Sequence, residues 1–387
     1  MTGSGPPDNE TSLGELARTF LRLGATSFGG PAAHIALFRD EFVVRRQWLS
    51  SQAFLDLLSA ANLLPGPSST EVALGIGRER AGIRGMLVAG VAFIAPAALM
   101  VLAIAIAYQQ LGSLPAIEWA LGGIQAVVIV VIIRAALALA PTALPAPAAW
   151  LIAAGACVLG LLGVHPVLIL AAAAAAMLVH RSILSAGHLS LVMGFNLPIS
   201  PVPGVVTIVA VAGSGLMPMF VTFLGIGAVT FGSGYLLLAF LREAFVLPGL
   251  ITDGQLLDAV AIGQLTPGPL FTTATFIGYL LEGVPGALIA TVAIFLPAFV
   301  FVAVAHPFLA RMRASATLGA AMDGINAASI GLLLAIAVEL ARGVFAGAAG
   351  IVIAAGAALL AWRFRVGTVW LLFAGAACGV VAGWLRL

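Results

Sequence analysis

The sequence predicts an all-α integral membrane protein of two homologous halves, arranged as inverted repeats. Each half is expected to hold a re-entrant, broken-helix region and about four spanning helices. Three observations carry this. The first is composition: of 387 residues, 62% are hydrophobic and 8% charged, with a mean hydropathy of +1.15. A globular domain carries roughly 25% charged residues, so lipid is the solvent of most of this chain. The second is duplication. Gly24-Ala25-Thr26-Ser27-Phe28-Gly29-Gly30-Pro31 returns as Gly227-Ala228-Val229-Thr230-Phe231-Gly232-Ser233-Gly234, and Pro65-Gly66-Pro67 returns as Pro267-Gly268-Pro269. The offset is 203, then 202, then 201 where Gly82, Gly85 and Pro96 match Gly283, Gly286 and Pro297. A doubled apolar unit with helix breakers at matching places is the signature of a secondary transporter.

The third observation is where the arginines fall, for the chain has no lysine. Arg39, Arg45, Arg46, Arg78, Arg80 and Arg84 flank the first pair of motifs, whereas the matching stretches of the second half hold Arg242 and Glu282. One span later the pattern reverses, with Arg311 and Arg313 in the second half against Gln109 to Ser113 in the first. Basic residues collect on the cytoplasmic side, so equivalent loops lie on opposite faces. That makes the repeats inverted and the N-terminus cytoplasmic.

In chain order, residues 1–12 are polar and read as a short cytosolic tail rather than a signal peptide. Residues 13–181 form the first repeat. Between Phe20 and Arg39 the apolar run is broken by Gly29-Gly30-Pro31, and between Trp48 and Gly77 by Pro65-Gly66-Pro67. With Arg45/Arg46 and Arg78/Arg80 on one side, the second stretch enters the membrane and returns. It is a re-entrant hairpin tipped by Pro-Gly-Pro, and irregular backbone at that depth must be buried in protein or line a wet cavity. Continuous apolar runs follow at 86–108, 119–140, 149–163 and 166–180. They are too long and unbroken for the alternating strands of a barrel. A more polar connector, 182–203, precedes the second repeat, 204–387. Its spans fall at 285–305, 318–341, 344–361 and 367–385, and its extra apolar stretch 204–217 is unassigned.

The breaks are the candidate binding elements. A half-helix that starts inside the membrane presents free N–H groups and the positive end of its dipole, a ready anion site. After the first Pro-Gly-Pro come Ser68, Ser69, Thr70 and Glu71; after the second come Thr272 and Thr273, with Thr266 just before it. The expected substrate contacts are Phe28, Gly29, Gly30, Asn62, Pro65, Gly66, Pro67, Ser68, Ser69, Thr70, Gly232, Ser233, Gln264, Thr266, Pro267, Gly268, Pro269 and Thr272. Asn62 and Gln264 are equivalent by the 202 offset. The competing reading of each breaker is a plain turn, or a glycine placed for helix crossing.

Charged candidates are fewer. Asp56 and Asp258 are aligned, nine residues before each Pro-Gly-Pro. Acids at membrane depth point to proton or cation coupling. The other reading is a structural pair with Arg45 or Arg242 near the interface. Glu71 aligns with Thr273 and is either a helix cap or a one-sided proton carrier. Arg39-Asp40 and Arg242-Glu243 also align, and read as salt bridges or, for Arg39, as a dianion contact. Five scattered histidines, of which only His34 lies near a motif, and two unmatched cysteines show no metal spacing. No nucleotide loop or catalytic set appears, so no cofactor and no enzyme activity are expected.

The chain resembles the chromate ion transporter family in its long, two-domain form. The residues that carry the likeness are GATSFGGPAAH at 24–34, FRDEFV at 38–43 and LLPGPSS at 63–69. Their second copies are GAVTFGSGY at 227–235, REAF at 242–245 and QLTPGP at 264–269. The resemblance implies a bacterial inner-membrane carrier that exports chromate and confers resistance, with sulfate as the competing tetrahedral dianion. The energetics agree with export, because a dianion leaving a negative interior gains roughly 4.6 kcal/mol per 100 mV. Proton antiport would supplement that drive. Partners are then a small inorganic oxyanion, the bilayer and protons, with no nucleic acid; a homo-oligomer is open. Rival readings are oxyanion uptake on the same scaffold, or a membrane-embedded enzyme or non-transporting partner.

Overall fold

The computed structural model describes residues 11–112, 114–185, 215–231, 234, 236–305 and 315–385. Among them are fourteen α-helices. In the first half α1 spans Leu13–Thr26, capped by the Ser12 hydroxyl, and α2 spans Gly30–Arg39, running on as a π-helical turn through Arg45. These two pack antiparallel around Phe20, Phe38, Phe42 and Phe93. Their open ends are zipped by Glu41, which binds Arg22 at 2.6 Å, Arg46 at 2.6 Å and Arg45 at 3.1 Å, while Arg46 also reaches Glu15. Burial pushes the Glu41 carboxyl up, but Arg46 and Arg22 outweigh it and hold the group below its ordinary value of 4.5.

Helix α3, Ser51–Ala61, descends from the Ser50 cap, and α4, Ser68–Leu111, returns. The Arg80 guanidinium binds Thr11 Oγ1 and the Trp48 carbonyl and lies over the Trp48 ring, as Arg46 does. The ends of the hairpin therefore share one face, and Pro65-Gly66-Pro67 is its tip, as the sequence predicts. The arginine stretch is not a loop, however. The chain turns through Ala81 and Gly82 alone, with Gly82 at φ 60°, and α4 resumes as a span. Helices α5 (Pro115–Ala143), α6 (Pro147–Leu161) and α7 (Pro166–Ser185) complete the half.

The second half repeats the plan element by element. Helix α8 spans Leu216–Val229 and α9 Leu237–Leu241, which continues as a π-helical turn to Val246. Helix α10 is Asp253–Leu265 with a Thr252/Gln255 capping box. After the second Pro-Gly-Pro comes a 3-10 turn, Leu270–Thr272, and then α11, Thr273–Ala305, kinked at Glu282 and Gly283 with nearly the dihedrals of the first kink. Helices α12 (Ala316–Val344), α13 (Ala348–Arg363) and α14 (Thr368–Trp384) follow. Among the described residues, five helical stretches are long and apolar enough to cross a membrane: α4, α5, α7, the Leu270–Ala305 stretch and α12. Their outward residues match across the repeats, Leu87, Val91 and Leu99 on α4 against Leu288, Val292 and Val300 on α11. The stretch 204–214 and most of the connector lie outside the described residues.

Contacts between the halves fix their relative direction. Arg78, at the near end of α4, binds the carbonyls of Val302 and Ala303 in the last turn of α11. Tyr108 and Gln125, at the far end of α4 and the start of α5, bind Asp258 in the first turns of α10. The kinked spans run antiparallel, and the second hairpin opens where the first span ends. The repeats are inverted. Cysteines at the equivalent exposed positions Ile83 and Val284 are accordingly expected to react with an impermeant thiol reagent from opposite sides of a sealed membrane. Labelling from one side would refute the inversion.

Candidate functional site

The two hairpin tips do not stand alone; each docks on the chain break of the other repeat. Helix α1 stops at Ser27, and Gly29 and Gly30 take φ 107° and 77° at the cap and first residue of α2. The freed Ser27 carbonyl accepts the Gly268 N–H at 2.9 Å. In the mirror contact the Thr230 carbonyl, where α8 stops, accepts the Gly66 N–H at 2.7 Å. The offsets of 203 and 202 relate all four residues. Each tip also touches an alanine of the opposite span: a Cβ on Gly268 would lie 2.6 Å from Ala97 Cβ, and one on Gly66 3.4 Å from Ala298 Cβ. Ala97 lies about 22 Å along α4 from its kink, so the contacts sit deep in the bundle. With φ of 144° and 95°, both tip positions require glycine.

The polar atoms left over collect here. Six buried side-chain atoms among the described residues have no hydrogen-bond partner, and five belong to the breaks. They are Ser27 Oγ, His34 Nδ1, Thr70 Oγ1 and both oxygens of Glu71. Buried polar groups are nearly always satisfied, so such a concentration marks a place where water or ligand belongs. His34 is fully buried, and its Nε2 lies 3.0 Å from the same Ser27 carbonyl that holds Gly268. Helix α4 starts on Pro67 with no side-chain cap, and Ser68, Ser69 and Thr70 are buried in its first turn. No serine hydroxyl caps this helix, because the cap residue is the proline.

The second tip differs. Thr266 Oγ1 donates to Ile262 O, Thr272 Oγ1 to Pro269 O, and Thr273 Oγ1 to Leu270 O. Each hydroxyl gives its single proton to its own turn, so Thr266 and Thr272 are not the free donors expected from the sequence. Gln264 is buried, but its partner by offset, Asn62, is exposed, as is Phe28. Pro65, Pro67, Pro267 and Pro269 frame the tips. Gly232 and Ser233 lie outside the described residues.

The charged candidates separate as well. Glu71 is 2% exposed beside Gly66, whose added Cβ would meet Glu71 Oε1 at 2.7 Å. It borders a cavity of about 20 Å³ whose other walls are Leu57, Ala60, Ala61, Leu64, Gly75 and Val302. It caps nothing. Asp258 is 3% exposed and accepts from Tyr108 Oη and Gln125 Nε2, both at 2.9 Å; Asp56 is part-exposed and accepts from Gln52. The arginine pairing expected for Asp258 is overturned. Arg45 is taken by Glu41, and Arg242 by Asp253 at 2.9 Å and Glu339 at 3.0 Å, which also displaces the Arg242–Glu243 bridge. Arg39 is exposed at the end of α2, away from any dianion at the breaks.

Sequence reasoning passed over Ser27, Tyr108 and Gln125, and noted His34 only for its place near a motif. Two carried a signal. Ser27 sits inside the doubled motif, and Gln125 aligns with Asn326 by the 201 offset, an amide at the same place in two apolar spans.

A family model described as chromate transporter matches residues 14–178 and again 217–380. A chromate transport protein of Pseudomonas aeruginosa is 32% identical over 394 residues, 97% of this chain and 92% of the relative. One of Cupriavidus metallidurans is 30% identical, with 88% of each chain covered. An uncharacterized transporter of Bacillus subtilis is 32% identical over 118 residues, 30% of this chain and 66% of the relative. No solved structure matches.

Proposed function

The chain belongs to the chromate transporter family, and from that premise we propose that it exports chromate across a bacterial inner membrane, bound as a dianion at the paired chain breaks. The observation that supports this site is that unpartnered buried polar atoms fall at both breaks, at Ser27 and His34 beside the Gly268 tip and at Thr70 and Glu71 beside the Gly66 tip, where α4 starts uncapped. Uncharged donors and a helix terminus suit an oxyanion, because they bind charge without a fixed counter-ion to hold it back. The membrane potential supplies the main drive, roughly 4.6 kcal/mol per dianion at 100 mV, and proton antiport supplements it. Hydroxyls and N–H groups read shape and charge rather than the central atom, so sulfate is expected to compete.

Tracer efflux from vesicles loaded with chromate tests the reading. Ser27→Ala and Thr70→Val each remove a donor to a charged ligand, worth about 1.5–3 kcal/mol, and are expected to cut efflux at least about tenfold. Thr272→Val removes a hydroxyl spent on its own turn and is expected to cost much less. Wild-type efflux with Ser27→Ala and Thr70→Val unaffected would move the site elsewhere. No efflux under any gradient would reject export.

A further inference from the structure

Among the described residues, Asp258 is the one buried acid held at depth by hydrogen bonds from the opposite repeat. Its carboxyl takes a hydrogen from Tyr108 on α4 and another from Gln125 on α5, and Gln125 Nε2 also faces the Gly254 carbonyl at 3.4 Å. Among the described residues it forms no ion pair. The charged groups on the elements around it are committed or distant: Arg242 is held by Asp253 and Glu339, and Glu118 is exposed one span-end away. The face of α11 packed nearby offers Phe276, edge-on to the Tyr108 ring at 5.0 Å.

Gln125 has a second surface. With Glu118, Trp119, Gly122, Gly343 and Gly379 it lines a cavity of about 580 Å³ between the start of α5, the α12–α13 turn and the end of α14. All of these lie at the end of the bundle opposite the arginine-zipped hairpin. One amide therefore separates a large, partly polar vestibule from a buried carboxylate.

We propose that Asp258 is a proton-binding site served from that face through the vestibule, and that its occupancy is linked to anion movement at the breaks. The ligand is a proton rather than a metal ion, because both carboxylate oxygens already face donors, the wrong polarity for a cation shell. A carboxylate in a lipid-embedded bundle without a counter-charge is costly, and a proton from the vestibule water removes that cost. The linkage is reciprocal: what loads the proton biases the anion site, and the reverse. The proposal rests on the transport reading above and adds to it the route of the coupling ion.

The test compares two fluxes in reconstituted vesicles, chromate–chromate exchange and efflux driven by an imposed proton gradient. Asp258→Asn keeps the shape and is expected to cut gradient-driven efflux by about tenfold while exchange stays within about twofold. Gly122, where an added Cβ meets nothing within 4 Å, admits Gly122→Cys, and a bulky impermeant thiol reagent from the vestibule side is expected to block the gradient response alone. Tyr108→Phe removes one donor and is expected to move the pH at which the gradient response is half-maximal. Equal loss of both fluxes in Asp258→Asn, with an unmoved pH response in Tyr108→Phe, would make Asp258 a structural pin and overturn the proposal. A response that follows sodium instead of protons would overturn it too. Absence of wild-type exchange would instead reject the transport reading.

Discussion

Gly268→Ala is expected to abolish chromate flux while leaving the chain inserted and folded in its other elements. The added methyl would lie 2.6 Å from Ala97 Cβ and 3.3 Å from the Gly24 carbonyl, both on packed helices that cannot swing aside. The backbone at φ 95° adds strain of about 1–2 kcal/mol for a residue with a Cβ. Lifting the tip also breaks the Gly268 N–H bond to Ser27 O. Together with the clash, a cost of about 3 kcal/mol is a modest estimate, and at 1.4 kcal/mol per tenfold it lowers the docked population by more than about a hundredfold. Gly66→Ala is the informative comparison. Its backbone at φ 144° is strained by a Cβ as well, but its methyl would meet Glu71 Oε1 at 2.7 Å, the far end of a flexible side chain, and Ala298 at an ordinary 3.4 Å, so the steric part of the cost is smaller. Flux should therefore fall less in Gly66→Ala than in Gly268→Ala. The reverse order, or normal flux in Gly268→Ala, would show that the docked tip is not the working arrangement.

The doubled motif makes that architecture legible in the amino-acid sequence itself. Matching breakers in matching apolar runs located both tips, and the arginine asymmetry gave the inversion, because both are one-dimensional patterns with a direct physical cost in lipid. Side-chain partnerships were not legible. Asp258 meets Tyr108 and Gln125 across 150 and 133 residues, and no local spacing predicts such a meeting. The pairing of Asp258 with Arg242, inferred from sequence proximity, failed for the same reason: Asp253 and Glu339, the latter from a distant helix, hold Arg242 instead. The hydroxyls were misjudged differently. A threonine after a breaker looks alike in both repeats, yet Thr272 sits in a 3-10 turn and satisfies its own backbone, whereas Thr70 begins an α-helix and is left with nothing. Diverged copies keep the backbone plan and differ in which polar atoms are free.

Glu71 is where that divergence has its largest expected effect. A carboxylate there would be a buried charge with apolar walls and no partner, a loss of several kcal/mol. A bound dianion at the same helix start would add repulsion of about 4 kcal/mol for each unit charge 4 Å away at an effective dielectric of 20. The neutral acid removes both costs and offers a hydrogen to the anion, and the adjoining cavity of about 20 Å³ is large enough for one water to carry the proton. Anion affinity in the wild type is thus expected to weaken as pH rises. Glu71→Gln, neutral at every pH, is expected to bind chromate with a much flatter pH dependence, the remainder coming from the linked Asp258 and from the anion's own protonation at the acidic end. Equilibrium binding to purified protein across pH 6–9 measures this directly. An unchanged pH dependence in Glu71→Gln would remove Glu71 from the site. The two acids are then distinguished by their main observables: Glu71 carries most of the variation of affinity with pH, and Asp258 governs the response to a gradient. Placing them in different repeats separates the group that sets when the site accepts an anion from the group that links it to the gradient.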